Sequence, residues 1–198
     1  MKVQTEYIEW CDFWVEDTGN REKPRLLLIG DSISRAYRPE VAALFEGRVL
    51  VDNMASSRGL DNPDYKRELA HLLEDERLSY DVIHFNNGLH GLHLDAAGYR
   101  KGLKEAMAYI RGISRARLIA ALSTPVYEEG RGYDNEKNRI VLERNTIMRE
   151  CAEEYGAQIN DLYSLSYGKP EIRMPDGLHY NEAGSRLQAR QIVEASLL

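Results

Sequence analysis

Leu26-Leu27-Leu28-Ile29-Gly30-Asp31-Ser32-Ile33-Ser34 is the stretch that decides the fold of this chain. Four apolar residues run into a glycine, an acid and a serine, and helical periodicity follows from Ile33 to about Phe45. A short apolar run closed by a turn signal is the pattern of a strand covered on both faces. The stretch therefore predicts a buried parallel strand, a tight turn and a helix whose first turn carries Ser32. Such a turn stands at the carboxyl end of a sheet, where open α/β folds bind ligands. It also aims the free N–H groups of the helix start at whatever sits beside Ser32. A hydroxyl there has exposure and donors for developing negative charge, as a nucleophile requires. Serine is equally a favoured N-cap, and on this stretch alone both roles stand open.

Outward from this point, apolar runs alternate with helical patterns. Strands are predicted at 25–30, 48–53, 81–86, 117–123 and 158–162, and helices at 33–46, 63–78, 95–113, 135–155 and 181–197. That alternation implies an α/β fold: a three-layer α/β/α sandwich around a flavodoxin-like, five-stranded parallel sheet with right-handed crossovers. Residues 25–198 form this one domain, and residues 1–24 precede it as an aromatic arm. In the arm, Tyr7, Trp10 and Trp14 fall at helical spacing with Phe13 nearby. A short helix or arm packed on the main body is expected, with a pocket wall or a dimer contact as the alternative. The loop 124–134, rich in glycine and charge, follows the fourth strand and is expected at the carboxyl end of the sheet.

A length of 198 residues suits one domain with a sizeable core, and 43% hydrophobic with 29% charged residues excludes a disordered chain. A net charge of −6 without a Lys/Arg cluster argues against nucleic acid or an anionic membrane surface as partner. Cys11 and Cys151 are too few for a disulfide framework and lack metal-type spacing, so both thiols are expected reduced. Met1–Trp14 has no basic region followed by an apolar run, and no apolar run is long enough to span a bilayer. A cytoplasmic protein is the default expectation, with homo-oligomerisation left open.

Three further stretches carry groups suited to acyl transfer: Asn53-Met54-Ala55-Ser56-Ser57-Arg58-Gly59, Asn86-Asn87-Gly88-Leu89-His90-Gly91 and Pro175-Asp176-Gly177-Leu178-His179-Tyr180-Asn181. The first two follow predicted strands, and the third precedes the last helix. Asp176 and His179, three residues apart in one loop, can share a face. A carboxylate so placed holds the imidazole Nδ1–H and leaves Nε2 free to take a serine proton. Alternatively, Asp176 stabilises a turn at Gly177 and His179 is a surface residue. His71 lies on a predicted amphipathic helix and is expected to be structural. His84, His90 and His93 crowd the third strand, but the carboxylates nearby lack ligand spacing, so neither a metal nor another cofactor is expected.

Taken together, the four stretches resemble the SGNH hydrolases, also called GDSL esterases and lipases, over about 25–198 and in the family's order. The resemblance implies that Ser32 is the nucleophile, His179 the general base and Asp176 the residue that orients it. The N–H groups of Ser32 and Gly59 and the Asn86 side chain would then form the oxyanion hole. Asp31, Arg58, Asn87 and His90, adjacent to these, are expected to contact substrate. Three positions depart from the family pattern. Ser34 stands where a leucine is usual, Arg58-Gly59 replaces a Ser-Gly pair, and His84 occupies a glycine position. The second departure leaves Arg58 as an alternative donor to Gly59. Alignment of the third block on Gly88 would put His90 in place of Asn86. The activity implied is hydrolysis of short acyl esters. Polar loop residues (Arg58, Asp61, His90, His93, Tyr127, Glu128, Arg131) favour O-acetyl groups on a carbohydrate. A thioesterase or lysophospholipase with a longer acyl slot, and a catalytically silent binding module, are the alternatives.

Overall fold

A computed structural model describes residues 4–74 and 78–197. Residues 75–77 of the predicted second helix lie outside the described residues, as do 1–3 of the arm and the last residue, 198. The strands are β1 (Cys11–Trp14), β2 (Arg25–Gly30), β3 (Leu50–Ser56), β4 (Val82–Phe85), β5 (Arg117–Ala121) and β6 (Gln158–Asn160). The helices are α1 (Ser32–Phe45), α2 (Pro63–Leu73), α3 (Ala96–Ile113), α4 (Glu136–Glu154), α5 (Leu162–Ser166) and α6 (Glu182–Ser196), with a 3₁₀ turn at Pro170–Ile172. They build one sheet in the order β1-β3-β2-β4-β5-β6.

Strands β2 to β6 are parallel, as expected, and β2 lies in the middle with every residue buried. Its continuous apolar run has a simple cause: alternate side chains serve two cores. Leu26 and Leu28 pack in a cluster with Ile33, Tyr37 and Val41 of α1 and Ala189 and Ile192 of α6. Leu27 and Ile29 pack in the opposite cluster with Leu69 and Leu72 of α2, Leu103 and Met107 of α3, and Met148 of α4. Full burial of each such side chain stabilises the fold by about 1.5–3 kcal/mol, so the strand's apolar character is demanded on both faces.

The sixth strand was not expected. Residues 11–14 are a strand rather than a turn of helix, and pair antiparallel with β3, from Cys11 opposite Ser56 to Trp14 opposite Asn53. Burial in β1 alternates with period two: Cys11 and Phe13 face the core cluster, and Asp12 and Trp14 are exposed. The helical spacing of Tyr7, Trp10 and Trp14 is therefore coincidental. β3 runs to Ser56 rather than stopping at Asn53: Met54 and Ala55 pair with both β2 and β1, and Ser56 pairs with Cys11 of β1.

From β2 the chain passes to β3 on one side, then crosses to β4 on the other. The topological switch therefore lies between the carboxyl ends of β2 and β4, the crevice where open α/β sheets bind ligands. Ser32 follows β2 and Asn86 follows β4.

Candidate active site

Asp31, not Ser32, caps α1. Its Oδ1 accepts the Ile33 N–H at 2.8 Å, and its extended backbone turns the chain out of the strand. Ser32 thus occupies the first helical position with its hydroxyl free of capping duty. Its N–H has no acceptor within the helix by geometry. The Ser32 Oγ lies 2.8 Å from His179 Nε2, across 147 residues of sequence.

The other half of this arrangement is a single tight loop. Asp176 Oδ1 accepts the N–H groups of Leu178 and His179, each at 2.9 Å, and Oδ2 lies 2.7 Å from His179 Nδ1. A carboxylate can only accept, so Nδ1 carries the proton and Nε2 is left to accept from Ser32. Burial raises the Asp176 pKa, but the hydrogen bonds from the His179 ring and the two backbone N–H groups outweigh it and hold the carboxyl down at about 2. The loop is pinned on both sides. The Met174 N–H donates to His179 O at 2.9 Å, and Tyr127 of the 124–134 loop donates its N–H to Gly177 O at 2.9 Å. Gly177 has φ +70° and lies against Tyr127, so a Cβ there would fall 2.0 Å from the Tyr127 carbonyl oxygen. Only glycine fits that turn.

Ser32 and His179 open into a cavity of about 350 Å³ lined also by Trp10, Asp31, Arg35, Leu89, His90 and Leu178. The expected site residues distribute unevenly around it. Asp31 and His90 line it, and His90 Nδ1 lies 3.0 Å from the Glu6 carboxylate. Gly59 is buried and is not among the residues that line the cavity, and its Cα lies so close to Gly91 that a Cβ on either would come within 2.8 Å of the other's Cα.

Three expected contacts are corrected. Asn86 was expected to direct its amide at the oxyanion. Its two N–H groups instead go to Ala121 O at 2.7 Å and Ser123 Oγ at 3.0 Å, and the residue lines a small cavity of about 20 Å³ that shares Asp31 and Leu89 with the Ser32 cavity. Arg58 was expected to touch substrate. Its guanidinium is held in ion pairs with Glu68 and, at 3.4 Å, Glu9, while its backbone N–H donates to Ser56 Oγ at 3.2 Å. A buried charge needs such partners, and the acids of α2 and the arm supply them. Asn87 is buried and donates to Arg58 O at 3.0 Å, so it ties the two loops together rather than facing substrate. Of the two candidate donors in the second block, Arg58 is committed and Gly59 remains.

Among the other polar loop residues, His93 pairs with Asp61 at 2.9 Å and Arg131 with Glu128 at 3.8 Å. The histidines of the third strand do not converge: His84 is buried with Nε2 3.0 Å from the Asn160 amide, and burial lowers its pKa to about 4. His71 meets the Phe13 ring at 4.9 Å between centroids. Glu6, Arg35, Leu89 and Leu178 were not singled out from sequence. Leu178 had a signal, lying inside the Asp-Gly-Leu-His block, whereas an acid in the arm has none until β1 docks. Trp10 takes the pocket-wall role left as the alternative for the arm, under the Arg35 guanidinium, 5.1 Å from its ring.

No family model matches the chain, and no curated protein matches its sequence. Solved structures do match. A proposed GDSL-like lipase from Parabacteroides merdae superposes with a TM-score of 0.71 at 18% identity, covering 89% of this chain and 97% of that one. An acetylxylan esterase from Geobacillus stearothermophilus gives 0.69 at 16% identity, covering 86% and 93%. A proposed SGNH hydrolase from Slackia heliotrinireducens gives 0.67 at 19% identity, covering 89% and 100%. By its strand order, its helical layers and these superpositions, the chain has the SGNH hydrolase fold.

Proposed function

We propose that this protein is a serine esterase that hydrolyses short acyl esters, with O-acetyl groups on carbohydrate as the substrate class. One observation carries the proposal: Ser32 Oγ, His179 and Asp176 stand in a continuous line of hydrogen bonds of 2.8 and 2.7 Å, with Ser32 and His179 lining one cavity. In the proposed reaction Ser32 Oγ attacks the ester carbonyl carbon and its proton passes to His179 Nε2. The carbonyl electron pair moves to oxygen, where the N–H groups of Ser32 and Gly59 are the proposed donors. Collapse breaks the bond to the alcohol, which leaves with the proton from His179. Water then repeats the sequence on the acyl-enzyme and releases the acid. Asp176 holds the ring in the tautomer both steps require.

The acetyl-carbohydrate assignment rests on the acetylxylan esterases among the structural neighbours and on a cavity walled by Trp10, Arg35 and His90 beside the apolar Leu89 and Leu178. Its test is turnover of 4-nitrophenyl acetate, then of acetylated xylo-oligosaccharides, with labelling of Ser32 by a fluorophosphonate probe. Hydrolysis and labelling that both vanish in Ser32→Ala are expected. An unlabelled wild-type protein without ester turnover would point to a silent binding module.

A further inference from the structure

The oxyanion hole lacks the side chain that sequence assigned to it, because both Asn86 N–H groups are spent on Ala121 O and Ser123 Oγ. The same loop offers another donor. His90 lines the Ser32 cavity, and its Nδ1 is engaged by the Glu6 carboxylate at 3.0 and 3.1 Å, while Nε2 has no partner among the described residues. The loop is fixed where this would require. Arg144 of α4, itself buried, donates to His90 O at 2.7 Å and Gly91 O at 2.6 Å. Gly91 packs against Gly59, and Asn87 donates to Arg58 O, so the loop after β4 is clamped to the loop that carries the proposed Gly59 donor. Glu6 also accepts the Gly91 N–H at 3.3 Å, so one arm carboxylate holds both the ring and its backbone.

The geometry points to His90, oriented by Glu6 of the N-terminal arm, as the side-chain donor of the oxyanion hole in place of Asn86. The inference rests on the serine esterase proposed above. As the Ser32 Oγ–carbon bond forms, the carbonyl π pair moves to oxygen and the Ser32 proton goes to His179. Because the Glu6 carboxylate can only accept, Nδ1 carries one proton, and the scheme requires a second on Nε2, which His90 then donates to the new oxyanion. Charge-assisted bonds of this kind are roughly twice as strong as neutral ones. The other charged or titratable groups on the cavity are Asp31, Arg35 and His179. Asp31 is held by the Ile33 N–H, and Arg35 lies over Trp10. His90 touches the reacting atoms in this scheme, and Glu6 is a positioning residue.

The test is steady-state turnover of 4-nitrophenyl acetate by the full chain and its variants, each checked for folding by circular dichroism. His90→Ala should lower kcat and kcat/KM together by about 10²–10³, with KM little changed, because the bond tightens as charge develops. Asn86→Ala should cost far less in kcat. Glu6→Ala should lower kcat less than His90→Ala does, and should add nothing in the His90→Ala background. Should His90→Ala fail to fold, His90→Phe keeps the ring's bulk, removes the donor and is expected to show the same loss. A raised KM with kcat intact in these variants, or a large kcat loss in Asn86→Ala, would overturn the assignment. A wild-type protein that neither turns over esters nor reacts with a fluorophosphonate would overturn the esterase itself. One that reacts normally while the His90 variants match it overturns only the role of His90.

Discussion

Two histidine–carboxylate pairs border the same cavity and are built in opposite ways. Asp176 and His179 lie three residues apart in one turn, and the carboxylate that holds the ring also accepts two backbone N–H groups of that turn. Glu6 and His90 are 84 residues apart, and meet because β1 docks the arm against β3 and brings the segment before it to the cavity. The local pair is preorganised by its own loop. The distant pair exists only when the arm is in place. The proposed proton-transfer group and the proposed charge-stabilising group are thus under quite different structural control.

The largest expected effect tests what the local pair serves. Ser32→Ala should remove about 10⁶ of kcat while leaving the circular dichroism spectrum unchanged, and His179→Gln should do nearly as much and abolish the fall in rate at low pH. A His179→Gln variant with an ordinary pH profile would dissolve the contrast. Asp176→Asn should cost about 10⁴, since the ring loses the acceptor that fixes its tautomer. A loss no greater than that of Glu6→Ala would make the two carboxylates equivalent.

A smaller effect concerns the acyl group. Acetyl and propionyl esters should exceed octanoyl esters in kcat/KM by on the order of tenfold. A preference for octanoyl would assign the Trp10, Leu89 and Leu178 wall to a longer acyl chain and move the substrate class to thioesters or lysophospholipids.

Smallest is a pH effect on stability from a third histidine that has no carboxylate. Burial lowers the His84 pKa to about 4, against 6.5 for an ordinary imidazole. The unfolded chain therefore binds more protons than the folded one between these values. The stabilising contribution is complete above about pH 6.5 and is lost as the pH falls toward 4. Asp176, depressed from 3.8 to about 2, keeps its contribution above the ordinary carboxyl range and loses it as the pH falls from about 4 toward 2. Wild-type Tm should fall by several degrees between pH 7 and 4.5, at roughly 2–4 °C per kcal/mol, and His84→Gln should flatten the slope. An identical slope in that variant would place the sensitivity elsewhere.

What could be read from sequence follows the same division between local and distant. The β2 run, the Asp31-Ser32 turn and the Asp176 loop are short-range patterns, and each folds as its spacing demands. Strand β1 escaped because its alternation spans four residues and is overlaid by aromatics at helical spacing. Asn86 is adjacent to the site in sequence, but its amide is captured by the end of β5, 35 residues away, which no local pattern encodes. Arg58 was expected at the substrate, but Glu68 of α2 and Glu9 of the arm, distant in sequence, hold its guanidinium.

The arm's strand also governs what the sheet can do to other molecules. β3 is seven residues long and buried throughout, and without β1 the N–H and C=O groups on the outer side of Asn53 to Ser56 would lose their partners. Such an edge is a template for pairing with a second chain. The opposite edge, β6, has only three residues, and α5 follows it at Leu162. Any event that lifts residues 11–14 from the sheet would thus do more than remove a wall from the cavity: it would also expose the end of β3 to pairing with a second chain.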